Sequence, residues 1–117
     1  MIIEDAALHL ELARRVSGIE LRLGQFEIDK VTAELKAQFP QHSASDLRET
    51  LALFLQLRQA IYDTREQFYA PQPGEYASEA DYDVRGMTDS ALAKFPQVSR
   101  DSVQHIVKKC IYWMHLR

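Results

Sequence analysis

Apolar side chains recur every three or four residues along most of the chain, which is the spacing of one face of an α-helix. In residues 4–17 the recurring positions are Leu8, Leu12 and Val16. A longer stretch, from residue 44 to about 68, has an apolar stripe with spacings of four, three, three and four. That stripe consists of Leu47, Leu51, Phe54, Leu57 and Ile61. These patterns predict an all-α fold.

The segment from Ile19 to Leu23 fits two patterns. Its apolar residues alternate with Glu20 and Arg22, which is the period of a half-buried strand. It also continues the stripe of the first helix through Gly18, although glycine inside a helix costs about 1 kcal/mol relative to alanine. Because no second alternating run offers a strand partner, we favour a helix that continues to about Leu23.

Cap and breaker residues predict where the next helices begin and end. Asp29 is expected to cap a second helix that closes at Phe39, because Pro40 disfavours helical geometry in the residue before it. Ser43 is expected to cap the third helix, and Asp46 lies three residues on, where a carboxylate helps to satisfy exposed amides.

Residues 70–86, with the sequence APQPGEYASEADYDVRG, break the helical pattern. They contain two of the four prolines and four acidic residues against one arginine. Seventeen irregular residues are unusual inside a compact domain. The segment is interpreted as a solvated connection, with a functional loop or a short unrecognised helix as the alternatives.

The segment from Val31 to Ser43 reappears 56 residues later as the segment from Met87 to Ser99, with Thr, Phe, Pro, Gln and Ser coinciding without a gap. Each copy reads as a short helix, a Phe-Pro-Gln turn, a serine cap and a longer amphipathic helix. We therefore expect one domain over residues 1–117, with about five helices and two helix–turn–helix corners.

The Phe-Pro pairs of the two corners are similar to the Met-Phe-Pro turn of CUE-type ubiquitin-binding domains. They occur as Leu35-x3-Phe39-Pro40 and Ala91-x3-Phe95-Pro96. Gln38 and Lys94 stand where that family has an exposed methionine, which removes the apolar contact that binding needs. The resemblance therefore does not carry ubiquitin binding over to this chain.

Charge divides unevenly along the sequence. Residues 94–117 carry five cations and one acid, a net charge of +4, so the first 93 residues carry −7 of the total of −3. Arg100, Gln104, Lys108 and Lys109 form polar stripes on the last helix. A basic helix that follows a short helix and a tight turn is typical of a helix-turn-helix protein that binds nucleic acid. Arginine and glutamine can contact base edges, and lysine can neutralise phosphate.

The earlier copy differs at the equivalent positions. Arg100 corresponds to Ala44, Lys108 to Ala52 and Lys109 to Leu53. Because apolar groups replace cations, we expect the earlier helix to be buried there and the last helix to be displayed.

Catalytic and metal chemistry have little support in the sequence. The single cysteine, Cys110, lies on an apolar stripe and is expected to be a buried structural thiol. The four histidines show no i, i+3 or i, i+4 pair, and there is no glycine-rich phosphate loop. We expect no enzymatic activity, no metal and no cofactor. We also expect a cytoplasmic protein without membrane contact, because the longest apolar run, Leu51–Leu55, is far shorter than the roughly 20 residues that span a bilayer.

Two functions follow as hypotheses. The first is a small non-catalytic regulatory protein that binds nucleic acid through the last helix, as a homodimer because the sequence pI of about 5.8 leaves few cations per copy. The alternative is a protein-interaction module, such as an adaptor, antitoxin-like or immunity-like factor. Its candidate contacts are Tyr76, Tyr82, Asp83 and Trp113, since aromatic residues are favoured at interfaces.

Overall fold

The computed structural model describes residues 1–70 and 81–115, and this part of the chain is all-helical, as the sequence predicts. It contains five long helices, one single-turn helix and a 3₁₀ turn. These are α1 (Ala6–Val16), α2 (Ile19–Arg22), α3 (Ile28–Gln38), α4 (Ala44–Thr64), the 3₁₀ turn (Arg65–Phe68), α5 (Val84–Lys94) and α6 (Arg100–His115).

Helix α4 lies at the centre and packs against α1, α3, α5 and α6. Its predicted apolar stripe is buried along the whole length, as are the recurring leucines of α1. Helix α6 packs against α1, α4 and α5 through a face that includes Val103, Ile106, Val107, Cys110 and Ile111. A single hydrophobic core therefore joins both ends of the chain. Within the described residues, no helix is long and apolar enough to cross a membrane.

The predicted continuity of the first helix is wrong, although the helical choice for the next segment is confirmed. Helix α1 ends at Val16, because Ser17 leaves helical geometry with φ −104° and ψ 8°. Helix α2 is a separate single turn that follows Gly18. Gly24 then takes a positive φ of 72°, a left-handed conformation that suits glycine and ends the turn.

Of the predicted caps, Ser43 is confirmed and Asp29 is wrong. The hydroxyl of Ser43 accepts a hydrogen bond of 3.1 Å from the backbone N–H of Asp46. Helix α3 instead begins at Ile28, one residue before the expected cap position, with Glu27 at the N-cap and no side-chain hydrogen bond there. Asp29 lies inside the first turn, where its carboxylate pairs with Arg48 of α4.

The irregular segment is shorter than expected. Helix α5 begins at Val84, so residues 84–86 are helical. The carboxylate of Asp83 caps this helix by accepting a hydrogen bond of 2.9 Å from the backbone N–H of Gly86. Residues 71–80, which include the candidate contact Tyr76, lie outside the described residues.

The two helical corners have closely matching local geometry at an offset of 56 residues. Phe39 and Phe95 close α3 and α5 with φ, ψ angles of −127°, 65° and −128°, 65°. Thr32 and Thr88 each donate a hydroxyl hydrogen bond, of 2.7 and 2.8 Å, to the carbonyl four residues earlier. The same residue types thus stop and turn the chain in the same way in both places.

A short backbone contact joins the two sides of the connection between α4 and α5. Tyr69 and Tyr82 form an isolated antiparallel bridge. Next to it, the N–H of Ala70 donates a hydrogen bond of 2.6 Å to the carbonyl of Asp81. Residues 70 and 81 are therefore next to each other in the folded chain.

Candidate functional site

The solvent side of α6 carries the cations that the sequence assigns to it. Lys108 and Lys109 are exposed, and Gln104 is half-buried. Among the described residues neither lysine forms an ion pair, and Lys109 Nζ lies 5.1 Å from the ring centre of Tyr112. Two positive charges therefore face solvent without a carboxylate to balance them.

Arg100, at the start of α6, differs from the two lysines because it forms an ion pair. Its guanidinium pairs with the carboxylate of Asp89 on α5, and both side chains are about half exposed. The sequence treats this arginine as a displayed cation, but in the folded chain its charge is balanced by a neighbour. Of the three predicted cationic contacts, Arg100, Lys108 and Lys109, Arg100 is therefore the one whose charge is balanced by an ion pair among the described residues.

The expected burial of the earlier copy is wrong. Ala44 and Ala52 are exposed, as Arg100 and Lys108 are, and Leu53 is half-buried. The reason is that α4 buries the opposite side, which carries Phe54. The side that carries Ala44 and Ala52 therefore faces solvent. The two corners thus differ at these positions in side-chain chemistry rather than in burial.

A groove of about 290 Å³ lies between the C-terminal end of α1 and the side of α6. Its walls combine basic, aromatic and small residues from the two ends of the chain. They are Arg14, Ser17, Gly18, His105, Lys109 and Trp113. The groove places Arg14 of α1 in the same cavity as Lys109 of α6, which the sequence alone does not indicate.

The pKa of His105 responds to the positive charges of the groove. Burial lowers the pKa of His105 below its ordinary value, and the positive charges of Lys109 and Arg14 lower that pKa further. The neutral imidazole is therefore favoured in the folded chain. Lys109 and Arg14, which belong to two different helices, therefore both lower the pKa of the same imidazole.

Trp113 ties α6 to the junction of α1 and α2. Its indole N–H donates a hydrogen bond of 2.8 Å to the carbonyl of Ser17. The guanidinium carbon of Arg22 lies 5.5 Å from the centre of its ring, which is within the range of a cation–π contact. The predicted partner role of Trp113 stays a prediction, and the half-buried indole already makes contacts inside the chain.

The other predicted partner contacts lie apart from this groove. Tyr82 is half-buried, with its ring 5.0 Å from that of Tyr69, and burial raises the pKa of its hydroxyl. Asp83 caps α5, which gives its carboxylate a structural role. Neither residue lines the groove that contains Trp113.

Cys110 is buried, as predicted, and burial raises the pKa of its thiol to about 11. Such a thiol is protonated at neutral pH and is a poor nucleophile. Within the described ranges, no cluster of His, Cys, Asp and Glu side chains could hold a metal ion.

Sequence reasoning missed Arg14 as a neighbour of the basic helix. A cation in the last turn of a helix is already explained by the helix dipole, so nothing in the local sequence marks this one. Its approach to Lys109 depends on the packing of α1 against α6, and that contact joins the first and last helices of the chain.

No family model, no curated protein and no solved structure matches this chain. Its function is therefore inferred from the surface chemistry of α6 and of the residues that surround it.

Proposed function

We propose that the chain is a small non-catalytic regulatory protein that binds nucleic acid along the exposed face of α6. The observation that carries the proposal is the pair Lys108 and Lys109, which face solvent without an ion pair in the described residues. Neutralising phosphates with such lysines releases condensed counterions and supplies affinity for any sequence. Gln104, on the same face, can contact base edges.

The corner formed by α5 and α6 supports this proposal. In helix-turn-helix proteins the second helix of the corner enters the major groove and uses its first turns to read bases. Here the second helix is Arg100–His115, about 24 Å long at the usual rise per residue. Its first turn holds Arg100, whose pairing with Asp89 leaves it available only when that ion pair opens.

We further propose that the chain binds as a homodimer. The total charge of −3 means that one copy offers few cations against a phosphate backbone. Two copies double the phosphate contacts and, at a fixed spacing, select two half-sites on the duplex.

The test is binding of fluorescently labelled random-sequence duplex DNA, single-stranded DNA and RNA, measured by anisotropy at about 50 and 200 mM salt, a range over which phosphate contacts lose much of their affinity. The double variant K108A/K109A is expected to weaken binding and to reduce the salt slope by about 0.9 for each phosphate that is no longer neutralised. The control is Lys30→Ala, which removes one exposed lysine from α3 and is compared with the loss per lysine in the double variant. Undetectable binding at low salt, or an equal loss in the control, contradicts the proposal.

The second candidate function, a protein-interaction module, is favoured by exposed aromatic rings. Tyr69 and Tyr112 are 45% and 50% exposed, and tyrosine is enriched at protein interfaces. Its test compares the proteins recovered by the natural chain, by the double variant Y69S/Y112S, and by a variant in which residues 71–80 are replaced by a Gly-Ser segment of equal length. The exchange keeps Asp83 as the cap of α5. A set of recovered proteins that none of these changes alters counts against this function.

A further inference from the structure

The groove between α1 and α6 brings together basic side chains from two distant parts of the chain. Arg14 comes from the last full turn of α1, and His105 and Lys109 come from successive turns of α6. A phosphate or sulfate group is recognised by this chemistry, because arginine offers a planar pair of donors and lysine a compact positive charge.

Carboxylates balance only part of this charge. Glu11 lies 3.7 Å from a guanidinium nitrogen of Arg14, but the same carboxylate accepts a closer contact of 3.1 Å from Arg15. Arg15 also pairs with Glu34, whereas the side chain of Arg14 remains 71% exposed. The groove therefore keeps a positive excess, carried by Arg14 and Lys109.

The end of a helix normally opposes an anion, because its last carbonyls carry partial negative charge. Here three carbonyls at this end of α1 have donors. The carbonyl of Ser17 accepts from Trp113, that of Arg15 accepts from the N–H of Gly18, and that of Ala13 accepts from the N–H of Ser17. These donors offset part of the negative charge of the helix end, and Arg14 and Lys109 add full positive charges to the same groove.

We propose that this groove is a binding site for a tetrahedral oxyanion, and that it holds one backbone phosphate when nucleic acid lies on α6. The second part rests on the proposed function, whereas the binding of the oxyanion itself does not. The site also provides its own reporter, because Trp113, the single tryptophan of the chain, lies in its wall.

The first experiment titrates sulfate against the natural chain at constant ionic strength, with chloride as the balancing ion, and follows the fluorescence of Trp113. A saturable change is expected. The variants Arg14→Gln and Lys109→Gln are expected to weaken sulfate binding about tenfold each, as the removal of one charge-assisted hydrogen bond predicts. Lys108→Gln is the matched control, since this neighbouring lysine is exposed but does not line the groove.

A second readout guards against variants that perturb the fold. In the natural chain, bound sulfate offsets the charges of Lys109 and Arg14, so the NMR titration midpoint of His105 is expected to shift upward. A fluorescence change that never saturates, an unmoved His105 midpoint, or an equal effect of Lys108→Gln overturns the site.

The final comparison separates this site from the proposed function. It measures binding of a DNA oligonucleotide and of its uncharged methylphosphonate form to the natural chain and to Arg14→Gln. A loss in Arg14→Gln with the charged oligonucleotide alone supports both proposals. Saturable sulfate binding without oligonucleotide binding keeps the oxyanion site and overturns nucleic-acid binding. Oligonucleotide binding that depends on Lys108 but not on Arg14 overturns the phosphate assignment of the groove and keeps the proposed function.

Discussion

The indole nitrogen of Trp113 donates a hydrogen bond of 2.8 Å to the carbonyl of Ser17, 96 residues earlier in the chain. Ser17 is the residue at which α1 stops, and Trp113 belongs to the last full turn of α6. One hydrogen bond therefore satisfies the C-cap carbonyl of α1 and links the first and last long helices.

Replacing Trp113 with phenylalanine is expected to lower the free energy of unfolding by about 1–3 kcal/mol, because the carbonyl of Ser17 loses its donor in a partly buried place. Urea unfolding followed by circular dichroism measures the change. Tyr112→Phe is the control, since that neighbouring ring is 50% exposed and removal of its hydroxyl is expected to have little effect. Equal stabilities of the two variants would contradict the structural role of the indole.

Asp5 links the start of α1 to the turn between α3 and α4. Its carboxylate accepts hydrogen bonds of 3.0 and 3.3 Å from the N–H groups of Ala7 and Leu8, and it lies 2.9 Å from His42 Nε2. The hydrogen bond with His42, aided by the backbone donors, holds the pKa of Asp5 below its ordinary value of 3.8. The ionised form therefore stabilises the folded chain.

The stability that Asp5 contributes is fully present above its unfolded pKa and is lost as the pH falls through the lower folded value. Asp5→Ala is expected to cost about 1–2 kcal/mol at neutral pH. Asp5→Asn keeps a capping side chain and should cost less, but it removes this part of the acid dependence. Urea midpoints measured between neutral pH and pH 3 check this, and an acid dependence in Asp5→Asn as steep as in the natural chain would count against it.

Freeing Arg100 from Asp89 is expected to strengthen nucleic-acid binding. Asp89→Asn removes the carboxylate that balances this arginine, so affinity should rise and the salt slope should steepen by about 0.9. The control is Asp29→Asn, which removes one negative charge and breaks the pair with Arg48 in the other corner. If both variants raise the affinity equally, the gain reflects net charge and not the position of Arg100.

Cys110 is expected to react with a thiol reagent only when the chain unfolds. Its thiol is buried and has a pKa of about 11, so little thiolate exists at pH 8. Labelling with a chromogenic disulfide at pH 8 should be slow without urea and should become fast across the unfolding transition. Rapid labelling of the folded chain would show that the last helix opens locally.

Sulfate binding in the groove is expected to strengthen as the pH falls. The pKa of His105 is lowered from its ordinary value by burial and by its neighbours Lys109 and Arg14, and protonation of the imidazole as the pH falls adds a third positive charge beside them. Two carboxylates lie near Arg14. Glu11 of α1 is 3.7 Å from a guanidinium nitrogen, and Glu20 of α2 lines the adjoining cavity together with Arg14. Sulfate keeps its charge over this range, and His105→Gln should therefore bind it with the same affinity at pH 5.5 and pH 7.5.

The sequence predicted the features that depend on neighbours along the chain. The turn at Phe39, the cap at Ser43 and the buried stripe of α4 each follow from residues a few positions apart. Competing local signals produced the errors. Asp29 resembled a cap but pairs with Arg48, whereas the true cap of α5, Asp83, was concealed in an acidic run.

The features that the sequence could not predict depend on the packing of distant helices. The neutralisation of Arg100 requires α5 to turn Asp89 toward it, and the groove requires α1 to bring Arg14 to the cavity that Lys109 lines. Neither arrangement has a periodic or compositional signal, because each joins single exposed side chains. The charge division along the sequence located the basic helix but not the residues that share its surface.

The bridge between Tyr69 and Tyr82 makes the connection from α4 to α5 a natural place to lengthen the chain. The bridge and the hydrogen bond from Ala70 to Asp81 place the two ends of this connection next to each other. Because the entropy of closing a loop grows by only about 0.6 kcal/mol for each doubling of its length, an insertion there costs the fold little. An epitope, or a folded domain whose own termini are adjacent, can be grafted at this junction while the helical core keeps its register.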